Sequence, residues 1–199
     1  AQEALGTGAG DGSASLMVLA FESADHPQEA RLARAVEIVR AHGGETEAAK
    51  AKGDSAHREG AAGAWRNAFL RAPYFREVLT PMSVIVDTFE TACTWDRFPA
   101  FHAEINKRMH DVLQRVTGHA GSVTCRFTHA YPDGPAPYYT FQAPGRPGAL
   151  MEQWRVIKAE ANAAVVSAGG TITHHHAVGR DHRPGYQHEC PPLFADALR

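Results

Sequence analysis

The sequence has few cysteines. Cys93, Cys125 and Cys190 are the only three, and they lie far apart in the chain. An odd number at wide spacing does not supply the disulfide framework that stabilises small secreted domains. The pattern therefore favours a reducing compartment, and we expect the protein to be cytoplasmic.

Long hydrophobic runs and an excess of charge of one sign are also missing. The longest apolar runs, such as residues 15–21, are far shorter than the roughly 20 residues that a transmembrane helix needs. Twenty basic residues stand against 22 acidic ones, which gives a net charge of -2. We therefore expect no integral membrane segment, no nucleic-acid partner, and a binding specificity that resides in a local site.

The two ends of the chain carry weak structural signals. Residues 1–14 are glycine-rich but lack the Lys-Ser pair and the helix entry of a phosphate-binding loop. We expect them to be a linker or disordered, with residues 15–199 as the folded domain. No initiator methionine or signal peptide is visible at the start, so we expect this chain to be part of a longer protein.

Hydrophobic spacing in the N-terminal part predicts two helices and two strands. Residues 15–23 alternate as a strand does, and residues 23–43 have apolar side chains at helical spacing. A short edge strand is expected at residues 45–49. A second helix is expected at residues 64–79, with a kink or restart at Pro73.

The C-terminal part has a more regular pattern, with the order β-α-β-β-α-β over residues 82–175. Strands are expected at residues 82–93, 122–131, 138–142 and 171–175, and helices at residues 94–118 and 147–170. This order is the split βαβ, or ferredoxin-like, arrangement, which predicts an α+β fold with an antiparallel sheet and helices on one face. A similar helix-Gly-Gly-strand succession at residues 36–47 leaves open whether the chain contains two such units.

Strand alternation assigns the polar side chains to one face of the predicted sheet. Tyr139 and Phe141 are expected in the core, so Tyr138 faces the other way. The same alternation places Arg126 and His175 beside Tyr138, on the face without helices. Tyrosine and histidine are groups that enzymes use for proton transfer. The pattern favours a reactive surface over an ordinary solvated sheet face, which remains the alternative.

The segment TITHHHAVGRDHRPGYQHEC, residues 171–190, is rich in potential metal ligands. They are His174, His175, His176, His182, His188 and Cys190. Imidazole is a common zinc ligand, but adjacent histidines on a strand point to opposite faces and the short paired spacings of zinc sites are missing. We therefore predict no bound metal, and the last three of these residues receive no role.

Three stretches in matching order resemble the C-terminal domain of the FAD-linked oxidases. They are FETACTWDR at 89–97, VTCRFTHAYPDGPAPYYTF at 123–141 and GGTITHHHAVG at 169–179. The branch they resemble is that of the alkyldihydroxyacetonephosphate synthases, flavoenzymes of ether-lipid synthesis. The resemblance implies a cap domain that covers FAD bound mainly by a preceding flavin-binding half. That half would be this domain's partner, and this chain alone would be inactive.

The resemblance also implies roles for individual residues. Tyr138 would be the proton donor and acceptor, and His174, His175 and His176 would form a signature needed for activity. Arg76, in the stretch YFRE, would bind the substrate phosphate, while Arg126 is a second candidate for substrate binding. His176 is also expected to contact the flavin. The reaction would exchange the acyl group of an acyl dihydroxyacetone phosphate for an alkyl group.

Two alternatives remain at this stage. One is the cap domain of a metal-assisted, FAD-dependent D-2-hydroxyacid dehydrogenase, whose branch carries a Gly-His-x-Gly-Asp-Gly-Asn-x-His stretch. Here His129 matches, but Tyr138 and His175 stand where that branch has histidine and glutamate, which favours the synthase-like branch. The other is a free-standing ferredoxin-like binding module. The sequence leaves open whether the substrate is a lipid or a hydroxyacid, and whether the protein forms a homodimer.

Overall fold

The computed structural model of the chain describes residues 15–46 and 60–197. It divides the chain into two compact units, residues 1–73 and residues 74–199. The predicted linker at residues 1–14 lies outside the described residues. So does most of the predicted edge strand, and residues 45 and 46, at its start, have no strand structure.

The first unit contains the first of the two helices predicted for the N-terminal part and most of the second. Helix α1 spans Glu29–Ala41, and Gly43 follows it with a positive φ of 78°, a conformation that suits glycine after a helix. The predicted strand at residues 15–23 is wrong, because these residues form no strand and Leu16 and Met17 are exposed. An alternating sequence becomes a strand only when its backbone pairs with a neighbour.

The second unit contains the sheet, and it begins within the second helix, α2. Helix α2 spans Gly60–Leu79 and continues through position 73. The elements that follow are β1 (Val84–Glu90), α3 (Phe98–Thr117), β2 (Ser122–Ala130), β3 (Pro135–Pro144), α4 (Leu150–Ser167), α5 (Arg183–Glu189) and α6 (Pro192–Ala197). In the part of the chain that the structure describes, the sheet has three strands in the order β1-β3-β2, all antiparallel. This confirms the α+β class and the order β-α-β-β-α.

The predicted fourth strand at residues 171–175 is wrong. The backbone there bends instead of extending beside another strand. The N–H groups of residues 172, 174, 175 and 176 donate to the side-chain carboxylates of Glu90 and Glu189. Because each N–H group has a single proton to donate, this segment cannot also supply a regular strand ladder.

Helices α3 and α4 cover one face of the sheet, as predicted. Tyr139 and Phe141 of β3 are completely buried, whereas Tyr138, which precedes them and points to the opposite face, is half-buried. The rings of Phe89 and Tyr139 stack with centroids 5.0 Å apart. The helices contribute Phe101, Ile105, Met109, Val112, Leu113, Ile157, Ala161, Ala164 and Val165 to this core. Burial of each large apolar side chain contributes about 1.5 to 3 kcal/mol, so this face holds the unit together.

Candidate functional site

The sheet face opposite α3 and α4 carries a row of Glu90, Tyr138 and Arg126, and we call it the open face. The register pairs Tyr138 of β3 with Glu90 of β1 on one side and with Arg126 of β2 on the other. The guanidinium carbon of Arg126 lies 4.2 Å from the centroid of the Tyr138 ring, within cation–π range. The Tyr138 hydroxyl donates to Oγ1 of Thr88 at 3.0 Å. Arg126 and Tyr138 are therefore neighbours on this face, as the sequence predicted.

The histidine triplet reaches the open face by bending around the carboxylate of Glu90. One oxygen, Oε1, accepts the backbone N–H groups of His174, His175 and His176 at 2.6, 2.7 and 2.8 Å. The same oxygen accepts the Thr173 hydroxyl at 2.7 Å. Successive N–H groups that converge on one anion form a compact anion-binding turn. A residue of β1 thus determines the conformation of a segment more than 80 residues further along the chain.

Glu90 is almost fully buried, with 1% of its surface exposed. Burial by itself raises the pKa of this carboxyl, but the hydrogen bonds from the His176 N–H, the Thr173 hydroxyl and the other two triplet amides outweigh burial and lower the pKa. Glu90 is therefore a carboxylate at neutral pH. Among the described residues, its second oxygen, Oε2, has no hydrogen-bond donor.

Two imidazoles of the triplet lie beside Tyr138. The rings of His175 and Tyr138 have centroids 6.4 Å apart, and the ring of His176 lies 5.4 Å from that of Tyr138. Burial is the main cause that lowers the pKa of His176, with the charge of Glu90 acting in the opposite direction. A neutral His176 at physiological pH can accept or donate one hydrogen bond through each of its ring nitrogens.

Three imidazoles on the same side of the sheet form a group that can hold a metal ion. One nitrogen each of His129, His174 and His175 lies within 4.8 Å of the other two. The second ring nitrogen of a metal-bound histidine is commonly held by a carboxylate or another acceptor. Here Nδ1 of His175 lies 3.2 Å from Oε2 of Glu90, and Nε2 of His174 lies 3.0 Å from the Tyr131 hydroxyl.

This group was not expected, because the sequence argument placed adjacent histidines on a straight strand. The bend around Glu90 brings the rings of His174 and His175 to the same side instead, with centroids 5.6 Å apart. The prediction that the chain binds no metal stays a prediction.

Arg76 lies apart from this row, at the outer edge of β1. Its guanidinium donates to Oδ1 of Asp87 at 2.8 Å, and the Arg76 side chain is 62% exposed. Oδ2 of Asp87 accepts the Trp154 indole N–H at 2.7 Å, and the ammonium of Lys158 lies 3.5 Å from the same oxygen. Burial opposes ionisation of Asp87, but Lys158 and the hydrogen bond from Trp154 lower its pKa.

A cavity of about 290 Å³ connects this edge to the histidine triplet. Arg76, Lys158 and His176 border it together with the segment of residues 177–182. Tyr138 is not part of its lining. Two of the predicted site residues, Arg76 and His176, therefore meet at one cavity, while Tyr138 and Arg126 lie on the neighbouring open face.

Sequence reasoning missed Glu90, Lys158 and the contribution of Tyr131. Glu90 carried a usable signal, because the alternation in VIVDTFE places Phe89 in the core and therefore turns Glu90 to the same face as Tyr138. Lys158 carried none, since a lysine within a helix is ordinarily solvated. His182, without a predicted role, is buried, and its Nδ1 lies 3.0 Å from the carbonyl oxygen of Ala177.

Comparison with known proteins gives a family match over the whole chain. A model of the family described as FAD linked oxidases, C-terminal domain, matches residues 1–199. An alkyldihydroxyacetonephosphate synthase of Caenorhabditis elegans is 28% identical over 110 residues, which is 54% of this chain and 18% of that protein. The chain therefore aligns with about a fifth of the length of this relative.

Two solved structures of alkyldihydroxyacetonephosphate synthase are also similar in part. The one in crystal form P212121 has 18% identity and a TM-score of 0.49, and the match covers 58% of this chain and 20% of that one. The one in crystal form P1 has 17% identity and a TM-score of 0.43, and the match covers 53% of this chain and 18% of that one.

No helix within residues 15–46 and 60–197 is long and apolar enough to cross a membrane.

Proposed function

Since the chain belongs to the family of FAD-linked oxidase C-terminal domains, we propose that its open face is the substrate-facing surface of an FAD-dependent enzyme of the alkyldihydroxyacetonephosphate synthase type. The observation that carries this proposal is the position of Tyr138, half-buried beside the imidazoles of His175 and His176. A phenol next to imidazoles is a suitable group for moving a proton to or from a substrate carbon.

The residues of the open face fit a bound flavin. The side chain of His175 is 40% exposed, and its ring lies at 24° to that of Tyr138. These flat polar groups match the edge of a flavin ring, which needs both planar packing and hydrogen bonds. When bound, FAD would supply the electrophilic ring that captures the substrate carbon. His175 and His176 would face it, and the flavin-binding half of the same protein would cover the open face.

The chain's own residues would perform the remaining tasks. Tyr138 would take the proton from the acylated dihydroxyacetone phosphate and return it after the fatty acid has been exchanged for a fatty alcohol. Arg126 would hold the Tyr138 ring in place from the side of β2. Arg76 would bind the phosphate at the cavity beside His176 with its forked guanidinium.

Exchange of Tyr138 for phenylalanine tests this proposal in the full-length protein. We expect Tyr138→Phe to lower the turnover of acyl dihydroxyacetone phosphate with a fatty alcohol by about 100-fold to 10,000-fold, the range for loss of a general acid–base group. Tyr139→Phe is the matched control, because the neighbouring tyrosine lies in the core on the other face. Turnover that survives Tyr138→Phe as well as it survives Tyr139→Phe would contradict the proposal.

The second candidate is a metal-assisted FAD-dependent D-2-hydroxyacid dehydrogenase, which the group of His129, His174 and His175 favours. It requires a divalent ion held by the three imidazoles, as three-histidine catalytic sites hold zinc. Metal analysis of the purified full-length protein separates the two candidates. One equivalent of zinc or manganese that is lost in His129→Ala would support the dehydrogenase, and its absence would support the synthase-type enzyme.

A further inference from the structure

The two oxygens of the Glu90 carboxylate differ in their hydrogen-bond partners. Oε1 accepts four donors from residues 173–176, so that oxygen is fully engaged with the bend. Oε2 is buried and has no donor in the described part of the chain. A buried carboxylate oxygen without a partner is costly, and such atoms are rare in folded proteins.

Two ring nitrogens are near enough to donate a hydrogen bond to Oε2, and they differ in their distance from it. Nδ1 of His175 lies 3.2 Å away, which is within hydrogen-bond distance, and a turn of the ring would align its N–H with Oε2, whereas Nδ1 of His174 lies 3.6 Å away. The two Nδ1 atoms are only 3.4 Å from each other. Two N–H groups so close together would repel each other, so we expect only one of the two atoms to carry a proton.

The contact of His174 with Tyr131 allows an arrangement in which only one of the two Nδ1 atoms is protonated. Its other nitrogen, Nε2, lies 3.0 Å from the hydroxyl of Tyr131. If Nε2 of His174 carries the proton, its Nδ1 is bare and accepts from His175. The proton on Nδ1 of His175 is then shared between Oε2 of Glu90 and Nδ1 of His174, so that both acceptors have a donor.

We infer that Glu90 is a positioning residue that fixes His175 in the Nδ1–H tautomer, so that Nε2 of His175 keeps its lone pair. Nε2 lies on the side of the ring away from the carboxylate, on the half-exposed side chain that neighbours Tyr138. It is the atom available to accept a proton or hydrogen bond at the open face. The use made of that nitrogen rests on the proposed function, but the tautomer itself does not.

Nitrogen NMR of the full-length protein with ¹⁵N-labelled histidine tests the inference without substrate. The spectrum is recorded above the ordinary imidazole pKa of about 6.5, and His174 and His175 are assigned with His174→Gln and His175→Gln. We expect His175 as Nδ1–H and His174 as Nε2–H. In Glu90→Gln the new amide nitrogen donates towards Nδ1 of His175, and the tautomer ratio of His175 should shift at least tenfold towards Nε2–H.

Glu189→Gln is the matched control. Glu189 also holds this segment, by accepting the Thr171 hydroxyl and the Ile172 N–H, so a merely structural effect would appear in both variants. We expect the control to leave the tautomer of His175 unchanged. If Glu90→Gln does not fold, the unmodified protein decides alone, because a bare Nδ1 on His175 overturns the inference.

The kinetic result separates this inference from the proposed function. If the protein turns over acyl dihydroxyacetone phosphate, Glu90→Gln should lower kcat at least tenfold while KM changes less. If it has no such turnover but His175 is Nδ1–H and switches in Glu90→Gln, the proposed function fails and the positioning role of Glu90 stands. A tautomer that is unchanged in Glu90→Gln overturns the positioning role whatever the turnover.

Discussion

Each face of the sheet places a tyrosine next to histidine, but one tyrosine is fully buried and the other is half-buried. On the covered face, Tyr139 is completely buried and Nδ1 of His102 lies 3.0 Å from its hydroxyl. Burial raises the pKa of Tyr139 and lowers the pKa of His102, so both are neutral across the physiological range. On the open face, Tyr138 is half-buried beside His175 and His176.

The two tyrosines therefore differ in environment and not in residue type. Two adjacent residues of β3 point to opposite sides because side chains alternate along a strand. The covered side surrounds its tyrosine with apolar side chains of α3 and α4. The open side places Tyr138 between Arg126 and the carboxylate of Glu90, where charges can stabilise a proton transfer.

The largest expected effect tests whether the covered face supplies the stability. Phe141→Ala should lower the free energy of unfolding by about 3 to 5 kcal/mol, because it removes a fully buried ring and leaves a cavity. Gln142→Ala, one residue further along β3 and exposed, should change it by less than about 0.5 kcal/mol. Denaturant unfolding of the full-length protein measures both. Similar losses in the two variants would show that the faces do not differ in this way.

The second prediction concerns acid stability at the edge of the covered face. The folded state lowers the pKa of Asp87 below its ordinary value of 3.8. Its ionised form therefore stabilises the fold above pH 3.8, and this contribution is lost as the pH falls through the lower folded-state pKa. We expect Asp87→Asn to cost about 2 kcal/mol at neutral pH, because Lys158 loses its partner. The variant should also have a flatter decline of stability at acid pH.

Asp111→Asn is the control for that experiment. Asp111 pairs with Lys107 at 3.0 Å on the solvent side of α3, with both side chains mostly exposed. An exposed pair of this kind contributes about 0.3 to 0.5 kcal/mol. Acid unfolding curves followed by circular dichroism should leave this variant close to the unmodified protein. Identical curves for Asp87→Asn and Asp111→Asn would refute the assignment of acid sensitivity to Asp87.

Much of the fold could be predicted because its signals are local. The spacing of apolar residues predicted α3 and α4, and the alternation in β3 correctly separated Tyr138 from Tyr139 and Phe141. The same alternation brought Arg126 next to Tyr138. Each of these inferences needs only neighbouring residues and the geometry of one helix or strand.

The bend of the histidine triplet could not be predicted, because its cause is distant in sequence. TITHH has the composition of a strand, but Glu90 and Glu189 capture its backbone N–H groups. Lys158 is a second example. Its ammonium donates to the carbonyl of Thr88 at 2.5 Å, and no residue near it in the sequence predicts this contact. Long-range polar contacts of this kind decide the site, whereas short-range patterns decide the sheet.

The smallest expected effect gives the sharpest comparison of the two tyrosines. Tyr139→Phe removes the hydroxyl that partners His102, whose other nitrogen accepts the Asn106 amide, so it should cost about 1 kcal/mol of stability. Tyr138→Phe removes a half-exposed hydrogen bond to Thr88 that water can replace, and it should cost less than about 0.5 kcal/mol. The order of the two losses in denaturant unfolding should therefore be the reverse of their order in turnover. If Tyr138→Phe were the more destabilising, loss of its activity would no longer distinguish proton transfer from damage to the fold, and the assignment of the open face would depend on the histidines alone.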